Sequence, residues 1–182
     1  MALEELPLGR AFTLLEPGPV VLVTTSDGRR DNVMTITWTM VLDFSASFAI
    51  KTGPWNHSYG ALSESRECVL AIPTVDLIDK VIGVGTTTGE NTDKFATFGL
   101  ARAPARQVRP PLLPDCLANV ECRVVDILDH YGIVVLEGVA AHIDTTRQER
   151  RMLHAVGDGT FVVDGETIDR RAAMRSKLPS GV

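Results

Sequence analysis

Met34-Thr35-Ile36-Thr37-Trp38-Thr39-Met40 alternates without a break, Met34, Ile36, Trp38 and Met40 on one side and three threonines on the other. Successive side chains of a strand point to opposite faces, so this period of two predicts one half-buried strand. Just before it, residues 20–25 read Val-Val-Leu-Val-Thr-Thr after the breaker Pro17-Gly18-Pro19, and the polar run 26–31 supplies a turn. Working outward, residues 48–51, 68–72 and 161–163 are further short apolar runs. Residues 117–128 and 131–143 form a long pair separated by Asp129-His130. Short β-branched runs punctuated by turn residues predict a barrel or sandwich.

Helices are the minority. Residues 56–66 carry a capping side chain and few breakers, and Leu77, Ile78, Val81 and Ile82 share a helical face with Thr74 or Asp76 placed to cap it. Residues 93–98 make little more than one turn, closed by Gly99. Four prolines in 101–114 predict an extended crossing segment.

The bulk numbers exclude several classes. A formal charge of -5 over 182 residues gives no basic face for nucleic acid, and Arg170, Arg171, Arg175 and Lys177 read as a solvated tail. The acidic N-terminus has no apolar run of a secretory signal, and no stretch reaches the length of a membrane span. Cys68, Cys116 and Cys122 are odd in number and lack CxxC spacing, so they read as reduced thiols of a cytoplasmic protein. His142 and His154 are twelve positions apart, which gives no metal site. No Gly-x-Ser-x-Gly elbow supports a hydrolase.

Three stretches could carry chemistry. The threonine-bearing strand, with Asn32 before it, can line a planar polar ligand with hydroxyls and main-chain groups; taken alone, solvent-facing threonines explain it as well. Pro54-Trp55-Asn56-His57-Ser58 sets polar side chains at a helix start, where unsatisfied N–H groups attract a phosphate; simple capping by Asn56 or Ser58 accounts for the same pattern. The glycine- and threonine-rich run 83–95 lacks a dinucleotide fingerprint and a Walker pair, but can deliver one cation, Lys94, beside a ligand.

The order of these pieces is more informative than any one of them. Gly18-Pro19-Val20-Val21-Leu22-Val23-Thr24-Thr25, Asn32-Val33-Met34-Thr35-Ile36-Thr37-Trp38, Asn56-His57-Ser58, Cys68-Val69-Leu70-Ala71-Ile72-Pro73-Thr74 and Asp93-Lys94-Phe95 follow one another. Asn119-Val120-Glu121-Cys122, Tyr131-Gly132-Ile133-Val134 and Leu153-His154-Ala155 to Glu166 complete the series. Together they resemble the flavin-reductase-like, flavoredoxin-type FMN-binding family over 18–166. The resemblance implies a mainly β, six-stranded antiparallel Greek-key split barrel with a few peripheral helices. It further implies one domain over 1–182, with its core in 17–166 and a tail at 167–182.

By the same resemblance the protein is a homodimer holding FMN non-covalently. Thr35, Ile36, Thr37 and Trp38 would line the isoalloxazine and ribityl chain, and Asn56, His57 and Ser58 the phosphate. Lys94 would stand beside the flavin as the catalytic cation, and Phe161 would close the pocket. The implied activity passes electrons from NADH or NADPH to flavin, alone or for a partner monooxygenase or redox protein, with no nucleic acid, membrane or metal involved. A flavoredoxin-like carrier fed by a protein donor and a non-catalytic FMN-binding protein are the alternatives. A pyridoxamine-oxidase-like barrel would need a more basic phosphate site than Asn56-His57-Ser58. Leu136-Glu137-Gly138-Val139 and Ala155 depart from the family pattern and leave the electron donor and acceptor open.

Overall fold

The structure is a computed structural model that describes residues 3–15 and 18–179. Pro17, from the breaker expected before the first long strand, and residues 180–182 of the tail lie outside the described residues. The strands are β1 (Glu4–Leu6), β2 (Val21–Ser26), β3 (Asp31–Ile36), β4 (Thr39–Val41), β5 (Ser47–Lys51), β6 (Glu67–Ile72), β7 (Ala118–Leu128), β8 (Ile133–Ile143), β9 (Leu153–Ala155) and β10 (Phe161–Val163). The helices that bear on the site are α1 (Ser58–Ser65), α2 (Ile78–Thr86) and α3 (Lys94–Phe98).

One antiparallel sheet runs β3-β2-β6-β7-β8-β5-β4, with β1 added to β8, while β9 and β10 form a separate hairpin. The strands at the two ends of this order, β3 and β4, are joined by only Thr37 and Trp38. The three Cα–Cα steps from Ile36 to Thr39 span at most about 11 Å, so the sheet must curl until its ends come close. The six expected strands are all present, the β3–β4 stretch counting as one strand split at Thr37-Trp38, and the result is the split barrel.

That break corrects the reading of the alternating stretch. Met34 and Ile36 of β3 face the barrel interior, as expected. In β4, however, Thr39 and Val41 pair with Ile50 and Phe48, both buried in the same interior. Directly paired residues share a face, so β4 turns its odd-numbered residues inward. Val41 packs on the core, whereas Trp38 is 66% and Met40 54% exposed. A slip of one residue moves every following side chain to the other face.

The interior is filled by alternate residues of all six strands, among them Val21, Val23, Phe48, Ile50, Leu70, Val120 and Leu136. The 3-10 turn Leu8–Leu14 adds Phe12 and Leu14, so the core takes in residues ahead of 17. Val20, Leu22 and Val33 point the other way, into a second cluster built with Val81 and Val84 of α2, Phe95 of α3 and Leu153. Burial on both faces explains why 20–23 is a continuous apolar run rather than an alternating one. Val81 and Val84 are the buried residues of α2, with Leu77 buried just ahead of it, while Ile82 is exposed. Thr74 does not cap this segment; its hydroxyl donates to Asp76 and accepts from Arg147.

The proline-rich segment crosses the outer face of β6 and β7 and is fastened there by Glu121. This fully buried carboxylate accepts main-chain N–H groups of Arg106, Gln107 and Val108 and lies 2.7 Å from Nε2 of His142. Burial opposes the charge, but the N–H donors and His142 outweigh it and hold the carboxyl below its usual range. Cys68 and Cys122 face each other across β6 and β7 inside the barrel. Burial pushes the Cys122 thiol well up, and Cys68 beside it adds to the effect, in keeping with the expected core role.

Candidate functional site

A cavity of about 210 Å³ opens where β3, the start of α1 and the end of α2 converge. Met34, Thr35, Trp55 to Ser58, Val84 to Gly89 and Lys94 line it. Lys94 begins α3, whose first turn is capped by Asp93 accepting from the N–H of Ala96 (3.1 Å). Gly99, at φ +58°, ends the helix in the left-handed region. This short, well-terminated helix points Lys94 back under the barrel wall.

Only 5% of Lys94 is exposed. Its Nζ donates to the carbonyls of Val33 (3.0 Å) and Val84 (2.9 Å), bridging β3 to α2. An ammonium has three donors, so one remains beside the cavity. Burial lowers the Lys94 pKa from its ordinary value. A buried cation is expensive unless it meets carbonyls or an anion, and here two carbonyls offset part of that cost.

At the start of α1 the N-cap position is His57, and no side chain caps it. Simple capping by Asn56 or Ser58 is therefore not what holds these residues in place. Asn56 Nδ2 instead donates to Thr52 Oγ1 (3.0 Å), and Asn32 Nδ2 donates to Ser58 Oγ (2.9 Å). The Ser58 hydroxyl accepts from Asn32 and makes no other hydrogen bond among the described residues, which leaves its own proton for a ligand. Ser58 is 2% exposed and His57 is exposed. Thr35 Oγ1 donates to the carbonyl of Val81 (2.7 Å), which pins α2 against β3. Gly89 is buried against Asn32, and a Cβ there would fall 2.2 Å from the Asn32 amide nitrogen, so only glycine lets the loop approach this closely.

The nine residues expected from the sequence thus divide into groups. Thr35, Asn56, His57, Ser58 and Lys94 come together around this cavity. Thr37 and Trp38 line a second recess of about 290 Å³ with Thr39, Met40, Ala49, Ile50, Lys51 and Ile133. Ile36 points into the barrel core. Phe161 lies on β10 and packs against the outer cluster around α2 and α3. The rim Thr86 to Gly89 and Trp55 fall within the two stretches read as able to carry chemistry, but neither was assigned to the site. The glycine-threonine run 83–92 was the signal for the first; nothing in the sequence marks Trp55 as a wall rather than a surface ring. Among the described residues, no helix is long and apolar enough to cross a membrane.

A family model described as flavin reductase like domain matches residues 14–160. An uncharacterized protein of Archaeoglobus fulgidus is 30% identical over 115 residues, 63% of this chain and 65% of its own length. The uncharacterized protein YddH of Escherichia coli is 27% identical across 88% of this chain and 94% of its own. Among solved structures, an FMN-binding domain of a flavin reductases-like enzyme from Shewanella baltica superposes with a TM-score of 0.85. It shares 23% identity and covers 92% of this chain and 97% of that one. Flavoredoxin of Desulfovibrio vulgaris gives 0.77 at 22% identity, over 84% and 90% of the two chains. With the family match spanning most of the barrel, the chain belongs to the flavin reductase like domain family.

Proposed function

We propose that this protein is a flavin-dependent oxidoreductase that binds FMN non-covalently and carries electrons from NADH or NADPH. The observation that carries the reading is Lys94, a buried cation with a donor left over, in a cavity whose other polar side chains are hydroxyls, an amide and an imidazole. That donor set suits a ligand with an anionic end and a ring edge of alternating acceptors and donors. Ligand sites run to about 300–1,000 Å³. The two recesses, about 210 and 290 Å³, lie side by side along the split β3–β4 stretch, each somewhat below that range.

When bound, FMN supplies the acceptance and onward transfer of electrons. The chain's own residues bind and orient. Ser58, positioned by the bond from Asn32, and the turn Asn56-His57 would hold the phosphate. Lys94 would set a positive charge where negative charge gathers on reduction, and a fixed cation in a sheltered site acts more strongly than one in water. Thr35, Thr37 and Trp38 would flank the ring system, with the backbone of Ile36 beside it. Phe161 would close the pocket of a partner subunit.

The exposed apolar side chains Trp38, Met40, Leu42 and Phe44, on β4 and to either side of it, support a homodimer, since a second copy would cover them. Buried free thiols support a reducing, cytoplasmic setting. A single domain over 1–182 completes the reading. The likeness to Desulfovibrio flavoredoxin supports a second reading, an electron carrier fed by a protein donor. An absorbance spectrum of freshly purified protein, followed anaerobically by NADH and then NADPH, tests both. A yellow protein bleached by either nucleotide supports the reductase, and one bleached only by a protein donor supports the carrier. Protein that stays colourless after soaking with FMN and desalting overturns both.

A further inference from the structure

Residues 87–93 join α2 to α3, and Thr87, Thr88 and Gly89 among them rim the cavity. Main-chain groups need partners, and segments with few of them open readily. Among the described residues, the main chain of 87–93 is tied to the barrel strands and their turns by one side chain. Arg30 donates from Nη1 to the carbonyl of Glu90 (3.1 Å) and from Nη2 to that of Thr92 (2.9 Å). Arg30 sits at the turn between β2 and β3, and that turn is itself held. Asp27 Oδ1 accepts the N–H groups of Arg29 and Arg30, each at 2.7 Å. Under the loop, Gly89 presses on Asn32, and Asn32 directs the Ser58 hydroxyl.

We propose that Arg30 is a positioning residue, a clip that holds the 87–93 loop down on Asn32 and so sets how long a bound flavin nucleotide stays in the cavity. The proposal rests on the FMN-binding reading above. The planar guanidinium fork spans two carbonyls at once, which a lysine ammonium on its flexible stem does poorly. Arg30 itself is exposed and does not line the 210 Å³ cavity, although it shares a smaller neighbouring recess with Asn32, His57 and Ser58. Loop exchange measured without flavin therefore isolates its hold on the loop from any direct contact with a phosphate. A loop freed from its clip would lift Gly89 from Asn32, leave Ser58 undirected and open the cavity rim to solvent.

The test compares wild type with Arg30→Ala and Arg30→Lys in two measurements. Hydrogen exchange of the 87–93 amides is followed on flavin-free protein, and FMN release is followed by recovery of flavin fluorescence after dilution of loaded protein. In Arg30→Ala the loop amides exchange faster and FMN leaves about tenfold faster, with Arg30→Lys between, since hydrogen bonds from a charged group contribute on that scale. The melting temperature moves little, because the Arg30 side chain is exposed and its hydrogen bonds go to loop carbonyls. Release within about twofold of wild type, or loop exchange that rises only in step with global unfolding, overturns the clip. If Arg30→Ala does not fold, the same two readings on Arg30→Lys decide. Wild type that takes up no FMN overturns the functional reading instead, and loop exchange unchanged by the substitution then overturns the clip separately.

Discussion

β3 and β4 come from one unbroken alternating stretch, yet they end in opposite surroundings. On β3, Met34 and Ile36 are 4% exposed inside the barrel, and the outward Val33 is sealed by the helices α2 and α3. Trp38 of the link and Met40 of β4 stand in the open, and on β4 only Val41 packs on the hydrophobic core. Alternation tells the chain to be a strand. It does not say which parity will face inward once the strand is bent, nor what will cover the other face. Those depend on the partner strand and on segments distant in sequence.

The sharpest way to break this contrast is to truncate the two methionines. Met34→Ala should cost about 2–5 kcal/mol, because it removes a buried side chain and leaves a cavity. Met40→Ala should stay within about 0.5 kcal/mol at protein concentrations too low for association. Denaturant midpoints of the two variants measure the difference. Equal losses would mean that β4 faces the core with the same parity as β3.

A second prediction compares the two recesses. Lys94→Met should weaken FMN binding at least about tenfold, by removing a sheltered cation that meets the ligand. It should also lower the flavin potential, while Trp38→Ala should affect affinity less. Fluorescence titration and a redox titration read both. The pH dependence carries its own sign. The folded-state pKa of Lys94 is depressed below 10.5, so the folded protein binds fewer protons there than the unfolded chain. Wild type should therefore gain stability relative to Lys94→Met as pH rises from the depressed value toward 10.5.

The smallest expected effect concerns the cover over β6 and β7, the counterpart of what β4 lacks. Glu121 has its pKa depressed below 4.5, so its stabilisation is complete above that pH and fades as pH falls through the folded value. In Glu121→Gln the acid limb of the stability curve should flatten below about pH 4.5. An unchanged acid limb would show that Glu121 does not hold the crossing segment by its charge.

How much of this was legible beforehand varies with the range of the interaction involved. Strand runs 48–51, 68–72 and 161–163, the capped turn at Lys94 and the polar turn at Asn56-His57-Ser58 are local patterns, and they reappear with shifts of a residue or two. β1 was missed because Glu4-Glu5-Leu6 has no apolar signature and exists only by pairing with His142 and its neighbours on β8. Trp38 was assigned to a continuous strand because the break after Ile36 leaves no mark in the alternation.

The sequence by itself determined that this chain makes a barrel of short strands, that Lys94 begins a capped helical turn, and which family order its motifs follow. Each of these is written in periodicity, capping residues and spacing, which act over a few neighbours. Only the tertiary structure decided that Lys94 is buried between Val33 and Val84, that Asn32 bonds the Ser58 hydroxyl, and that Trp38 and Met40 lie outside. The reason is that burial, hydroxyl direction and facing are set by what the closing of the sheet brings across, from residues 10 to 61 positions away in these bonds.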